Sequence, residues 1–304
     1  MRDQIVWSQW PDLKTPPGFR IVSAELTKVS QDFLDQIDVY VPQYLGTHCN
    51  IAPLDQMGRV SFLQLPMAGF DAAIPHMRPG IKLSNAGGVH NDSTAELALA
   101  LTLATLRGFP QFMRNQMVSK WEHTQEQSLS DKTIGIIGYG SIGKTLDKLL
   151  STFPVTIVRF ARSSSENVVA ISDLDEYLPN LDVVILLLPL TQSSRHMFNN
   201  ERFAKMKDGA LLVNVARGSI VDTSALIAAL RAGKIRASLD VTDPEPLPAD
   251  HPLWKERDCF IVPHVGGDSS AFEPRARRLV EAQLIRLSQG LDPLHLIDWE
   301  NLHG

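Results

Sequence analysis

The sequence predicts an α/β protein of two domains, one of them a doubly wound parallel sheet. Three observations carry that expectation. Strand-like runs alternate with helix-length segments along most of the chain. The strands of the second half are Val/Ile/Leu-rich without clean polar alternation, as strands covered on both faces are. A Gly-x-Gly-x-x-Gly turn stands where the second β/α series begins. The 304 residues suffice for about two domains.

Taken in order, the first strands are read at Gln4–Trp7, Arg20–Ala24, Asp38–Pro42, Val60–Pro66 and Lys82–Asn85, with a helix at Ser30–Ile37. Thr94–Arg107 is rich in Ala and Leu with neither Gly nor Pro, which favours a helix, apolar all round and hence buried. Six further strands follow at Thr133–Ile137, Val155–Phe160, Val183–Leu187, Ala210–Val215, Ala237–Asp240 and Cys259–Val262. Ser141–Leu150 and Asp222–Ala232 between them have helical spacing. With the usual order 3-2-1-4-5-6 these six make a complete sheet whose last three strands are neighbours. Beyond Ser269, Ala276, Leu279, Val280, Leu284 and Leu287 share one face of a final helix, able to pack back on the N-terminal domain.

Composition narrows the function classes. Apolar residues make up 44% and charged residues 21%, and 29 Lys+Arg against 34 Asp+Glu leave a net charge of −5. That balance argues against a nucleic-acid binder; Arg275, Arg277 and Arg278 alternate with Glu273 and Glu281 and read as a solvated or interface face. Cys49 and Cys259 are the two cysteines, far apart and outside any C-x-x-C, so neither a disulfide scaffold nor a thiolate metal site is expected. No apolar run approaches the ~20 residues of a membrane span, and Met1–Trp10 has no secretory pattern. The expectation is a cytoplasmic protein with no membrane, metal or nucleic-acid partner.

The turn Gly138-Tyr-Gly140-Ser-Ile-Gly143 follows an apolar strand and precedes Ile142, Leu146 and Leu149 at helical spacing. Gly138 permits the tight turn, Gly140 the close approach of a pyrophosphate, and Gly143 the close contact of helix and strand. The pyrophosphate then rests on the free N–H groups at the helix start. About 20 residues on, a dinucleotide site normally places a ribose-binding acid. Ala161 stands there instead, followed by Arg162 and Ser163–Ser165. Arg and hydroxyls suit a 2′-phosphate, so NADP(H) is preferred, with NAD(H) second; the plainer alternative is that Arg162 is a solvated surface charge.

Ligands of an open parallel sheet bind beyond the carboxyl ends of its strands. The last three strands are followed there by Arg217, Glu245 and His264. These types suit reduction of a 2-keto acid. Arg217 can hold a carboxylate and steady the oxyanion that grows on the carbonyl, and His264 can deliver the proton. Glu245 on the other ring nitrogen would fix the tautomer and favour the imidazolium.

With these residues in view, the chain from about Val60 onward resembles the D-isomer-specific 2-hydroxyacid dehydrogenases, which include glyoxylate and hydroxypyruvate reductases. The resemblance rests on Gly138–Gly143, Leu187-Leu-Pro-Leu-Thr191, Asn214-Val-Ala-Arg217-Gly-Ser-Ile-Val-Asp222, Asp240-Val-Thr-Asp-Pro-Glu245-Pro-Leu-Pro248 and Pro263-His264-Val-Gly-Gly267. It implies a Rossmann cofactor domain, 94–267, inserted in a smaller flavodoxin-like substrate domain, 1–93 plus 268–304. It also implies a homodimer formed across the cofactor domains. The family's catalytic Arg, Glu and His fall on Arg217, Glu245 and His264. Cofactor contacts fall on Gly138, Gly140, Ser141, Ile142, Gly143, Arg162, Ser163, Pro189, Val215, Ala216, Asp240 and Gly266. Met67-Ala68-Gly69-Phe70-Asp71 resembles the loop whose N–H groups receive the substrate carboxylate.

Two departures shape the expected substrate and reaction. Tyr44 and Leu45 stand where several relatives place polar contacts, which favours a small or hydrophobic 2-keto acid over phosphoglycerate, unless Tyr44 serves ordinary loop packing. Glu245 separates the chain from formate dehydrogenases, similar proteins with Gln beside the histidine. The rival outside catalysis is a dinucleotide-binding regulatory protein of the corepressor type.

Overall fold

A computed structural model describes residues 2–46 and 48–300. The expected outer domain, 1–93 plus 268–304, thus includes residues 1, 47 and 301–304, which lie outside the described residues. Chain order runs β1 (Gln4–Ser8), β2 (Phe19–Val22), α1 (Gln31–Leu34), β3 (Ile37–Val41), β4 (Phe62–Gln64), β5 (Lys82–Ser84), α2 (Asn91–Leu106) and α3 (Phe109–Met117). It continues with β6 (Thr133–Ile137), α4 (Ser141–Leu150), β7 (Thr156–Ala161), β8 (Val169–Ala170), α5 (Leu174–Tyr177), β9 (Val183–Leu186), α6 (Asn200–Lys205) and β10 (Ala210–Asn214). The last elements are α7 (Thr223–Arg231), β11 (Ile235–Leu239), β12 (Cys259–Ile261), α8 (Phe272–Ser288) and β13 (Leu296–Ile297). Two compact units result, Met1–His90 with Gly267–Gly304, and Asn91–Gly266. No helix among the described residues is long and apolar enough to cross a membrane.

The outer unit holds a six-stranded sheet in the order β13-β5-β4-β3-β1-β2. Apart from β13, which runs antiparallel to β5, the strands are parallel in the flavodoxin-like order 2-1-3-4-5. Val6, Val39 and Val41 on one face pack with Phe272, Ala276, Val280 and Leu284 of α8. The face of α8 read from the sequence is thus the buried one, though Leu279 and Leu287 are only half-covered and Gln283 is fully buried.

The central unit holds a seven-stranded parallel sheet, β12-β11-β10-β9-β6-β7-β8. Within this unit the order is 3-2-1-4-5-6-7, so the expectation of a complete six-stranded sheet needs correcting. The third strand is β8, two residues paired to Phe160 and Ala161, too short to leave a pattern in the sequence. Every residue of β9 and β10 is buried, and each large aliphatic side chain there contributes roughly 1.5–3 kcal/mol by leaving water. Toward the edges burial is partial, as in β12. The helix α2 also departs from expectation. It begins at Asn91 and is not buried all round: Ala95, Ala98 and Leu101 are covered, whereas Glu96 and Ala100 are exposed. The helix read at Ser30–Ile37 is a single turn, Gln31–Leu34, begun by Ser30 Oγ accepting from Phe33 N.

Candidate active site

The turn after β6 has the geometry its glycines suggested. Gly138 has φ +108°, and a Cβ there would lie 2.6 Å from Leu188 N. A Cβ on Gly143 would lie 2.6 Å from Gly138 O, so α4 and the turn approach as only glycine allows. On Gly140 it would meet nothing within 4 Å, and no side chain caps α4. Ser141, Ile142 and Gly143 thus present the uncapped start of a helix beside open space, which fits a pyrophosphate. Leu187 N donates to Ile137 O, and Pro189 follows with its carbonyl accepting from Ser194 Oγ. Beyond β7, Arg162 and Ser163 are exposed, and Arg162 forms no ion pair among the described residues.

Arg217, Glu245 and His264 follow β10, β11 and β12, three adjacent parallel strands. His264 Nδ1 lies 2.5 Å from Glu245 Oε1. Burial pushes the Glu245 carboxyl up, but the His264 hydrogen bond and charge, the Thr242 N–H and the Arg217 charge outweigh it and hold it below the usual carboxylate range. It is therefore ionised at neutral pH. With a proton on Nδ1 directed at that carboxylate, Nε2 is left for other chemistry.

The backbone around these side chains is closely determined. His264 has φ +52°, and Asp240 fixes its turn: Asp240 O accepts from His264 N, Oδ1 from Val265 N at 2.7 Å, and Oδ2 from Gly266 N at 3.0 Å. Burial pushes the Asp240 carboxyl up against the pull of those two N–H groups. A Cβ on Gly266 would lie 2.7 Å from Asp240 Oδ2, and one on Gly218 would lie 1.9 Å from Thr242 O. Asn214 brackets the arginine turn, accepting from Ala216 N and donating to Arg217 O, and Val215 and Ala216 are buried. Asn214 and Gly218 went unassigned in the sequence; their signal was only their presence in the Arg217 motif.

In the outer unit, Ala86 N donates to Met67 O at 2.9 Å and Asn85 Nδ2 to Ala68 O at 2.7 Å. A trans peptide points its N–H opposite its carbonyl, so pinning these two oxygens aims the Ala68 and Gly69 N–H groups to the other side of the loop. Asn85 is a third residue the sequence did not single out. Tyr44 packs its ring 4.2 Å, centroid to centroid, from Phe272 and 5.9 Å from His90, and Leu45 beside it is exposed. Burial pushes the Cys49 thiol up to about 12, and burial with Glu256 and Asp258 does the same for Cys259, so neither is a thiolate at neutral pH.

A doubly wound parallel sheet whose first strand feeds an uncapped glycine turn defines a nucleotide-binding α/β protein of the Rossmann class. Residues 99–266 match the model of the D-isomer specific 2-hydroxyacid dehydrogenase, NAD binding domain. The chain is 34% identical over 264 residues to a glyoxylate reductase of Thermofilum pendens, covering 82% of this chain and 78% of that one. It is 36% identical over 214 residues to a hydroxypyruvate reductase of Thermotoga maritima, covering 68% of each. Among solved structures, a D-isomer specific 2-hydroxyacid dehydrogenase family protein from Aeromonas salmonicida superposes with a TM-score of 0.86 at 26% identity, covering 98% of this chain and 99% of that one. The chain belongs to the D-isomer specific 2-hydroxyacid dehydrogenase family.

Proposed function

We propose that the chain reduces a small, unphosphorylated 2-keto acid of the glyoxylate or hydroxypyruvate type with NADPH, using Arg217, Glu245 and His264. The observation that carries this reading is the His264–Glu245 pair, 2.5 Å apart with the Arg217 charge acting on the same carboxylate. A nicotinamide bound there would supply the hydride that the carbonyl carbon takes up. Arg217 presents its planar fork to the substrate's carboxylate and carbonyl oxygen, where negative charge grows. His264 delivers a proton from Nε2 to that oxygen while Glu245 holds Nδ1 and steadies the cation. Within the other unit, the Ala68 and Gly69 N–H groups of the Met67–Asp71 loop are suited to receive a carboxylate, and Tyr44 offers apolar bulk.

Gly138, Gly140, Ser141, Ile142 and Gly143 would hold the pyrophosphate. Arg162 and Ser163 would take the 2′-phosphate, and Pro189, Val215, Ala216, Asp240 and Gly266 would line the rest of the dinucleotide. The chain works as a homodimer, its second copy covering the apolar surface of α3 and the segment after it. The deciding experiment follows oxidation of NADPH and of NADH with glyoxylate, hydroxypyruvate, pyruvate and phenylpyruvate. Turnover on a small 2-keto acid, faster at limiting NADPH than NADH, is expected. Turnover on none would leave a dinucleotide-binding regulator in place of an enzyme.

A further inference from the structure

Tyr139 occupies the position between Gly138 and Gly140, and its hydroxyl donates to Asp147 Oδ2 at 2.6 Å. The same carboxylate takes Arg159 on both oxygens, Nε to Oδ2 at 2.9 Å and Nη2 to Oδ1 at 2.8 Å. The guanidinium carbon lies 5.8 Å from the centre of the Tyr139 ring. Asp147 is on α4 and Arg159 on β7, two residues before Ala161. One carboxylate thus joins the glycine turn, the helix it opens and the neighbouring strand.

The backbone of the turn is already secured, because Gly138 N and Tyr139 N both donate to Phe160 O, at 3.0 and 2.8 Å. What it leaves free is the ring. Beside it lies Gly140, where a Cβ would meet nothing within 4 Å, so a tyrosine released from its anchor can fold over that open space. Asp147 lies about 9 Å along the axis from the helix start, and holding the hydroxyl there draws the ring away from the turn. Burial pushes the Asp147 carboxyl up, yet the bonds from Arg159 and Tyr139 and the Arg159 charge keep it below the usual carboxylate range. It is therefore an anion at neutral pH, and Arg159 offsets a charge that would otherwise oppose a pyrophosphate on the same helix.

We propose that Asp147 is a positioning residue for the dinucleotide, holding the Tyr139 ring along α4 so that the approach to Gly140 stays open. This role rests on the reading that the turn takes a nicotinamide dinucleotide. The test is the Kd of NADPH and of NADH for the full chain, followed by nucleotide fluorescence. Asp147→Ala and Tyr139→Phe, which each release the ring, should weaken both cofactors by about tenfold, with kcat at saturating cofactor little changed. Removing the ring as well, in Asp147→Ala with Tyr139→Ala, should restore affinity to within about threefold of the unaltered protein, which a merely structural carboxylate would not do. Tyr139→Phe loses one hydroxyl and keeps the test alive should Asp147→Ala not fold. Unchanged Kd values, or a double variant that stays weak, overturn the proposal. So does a loss confined to NADPH, which would put Arg159 on the 2′-phosphate. If the unaltered protein binds neither cofactor, the functional reading falls and takes this role with it; binding with unaffected variants removes this role alone.

Discussion

A carboxylate held ionised against a histidine ring does two things at once, orienting the ring and favouring its charged form. In Glu245→Gln the hydrogen bond can persist but the charge is lost. kcat/KM for reduction should then fall at neutral and higher pH; an unchanged pH–rate profile removes Glu245 from the proton step. Among the described residues Arg162 has no ion pair to break, so Arg162→Ala should act only through bound phosphate. KM for NADPH should rise about tenfold while KM for NADH barely moves, as initial rates with each cofactor will show. Both residues were visible in the sequence as side-chain types at strand ends. Asn85, Asn214 and Asp147 were not, because each acts by a hydrogen bond to a partner that only the folded chain brings near.

Elements with a strong local signal were read closely. Thr133–Ile137 and Ser141–Leu150 coincide with β6 and α4, where an apolar run, a glycine turn and helical spacing agree. Weak or short elements escaped. The helix α3 starts directly after Gly108, whose φ of +72° ends α2, and it carries proline in its first turn. β13 has two residues and exists because β5 offers it an edge. A different kind of information sits at Asp182, which accepts from Thr133 N and pairs with Lys207 at 2.8 Å, joining the starts of β6 and β9 to the segment before β10. Burial pushes its carboxyl up, but the Lys207 and Thr133 bonds and the charges of Lys132 and Lys207 hold it below its ordinary value. The stability it adds is therefore present above the ordinary carboxylate range and lost as pH falls through the lowered value. Asp182→Asn should cost about 1 kcal/mol at pH 7 and almost nothing near pH 2, by urea unfolding at each pH.

At the scale of the whole molecule, the chain leaves Phe109, Met113, Met117, Val118 and Trp121 in water, with Trp121 99% exposed. A contiguous apolar stretch of that size marks an interface. Sedimentation should give twice the chain mass, and Met117→Glu with Trp121→Glu should give the monomer with its fold intact; a monomeric unaltered protein would end the dimer proposal. The amino-acid sequence by itself determined the α/β class, the glycine turn and the three residue types at the strand ends, because apolar periodicity and turn chemistry are local properties. Only the tertiary structure decided that β9 lies beside β6, that a two-residue strand completes the sheet, and that Asp147 meets both Tyr139 and Arg159. Strand order and side-chain pairing are settled by which faces are buried together, and burial is a property of the folded chain as a whole.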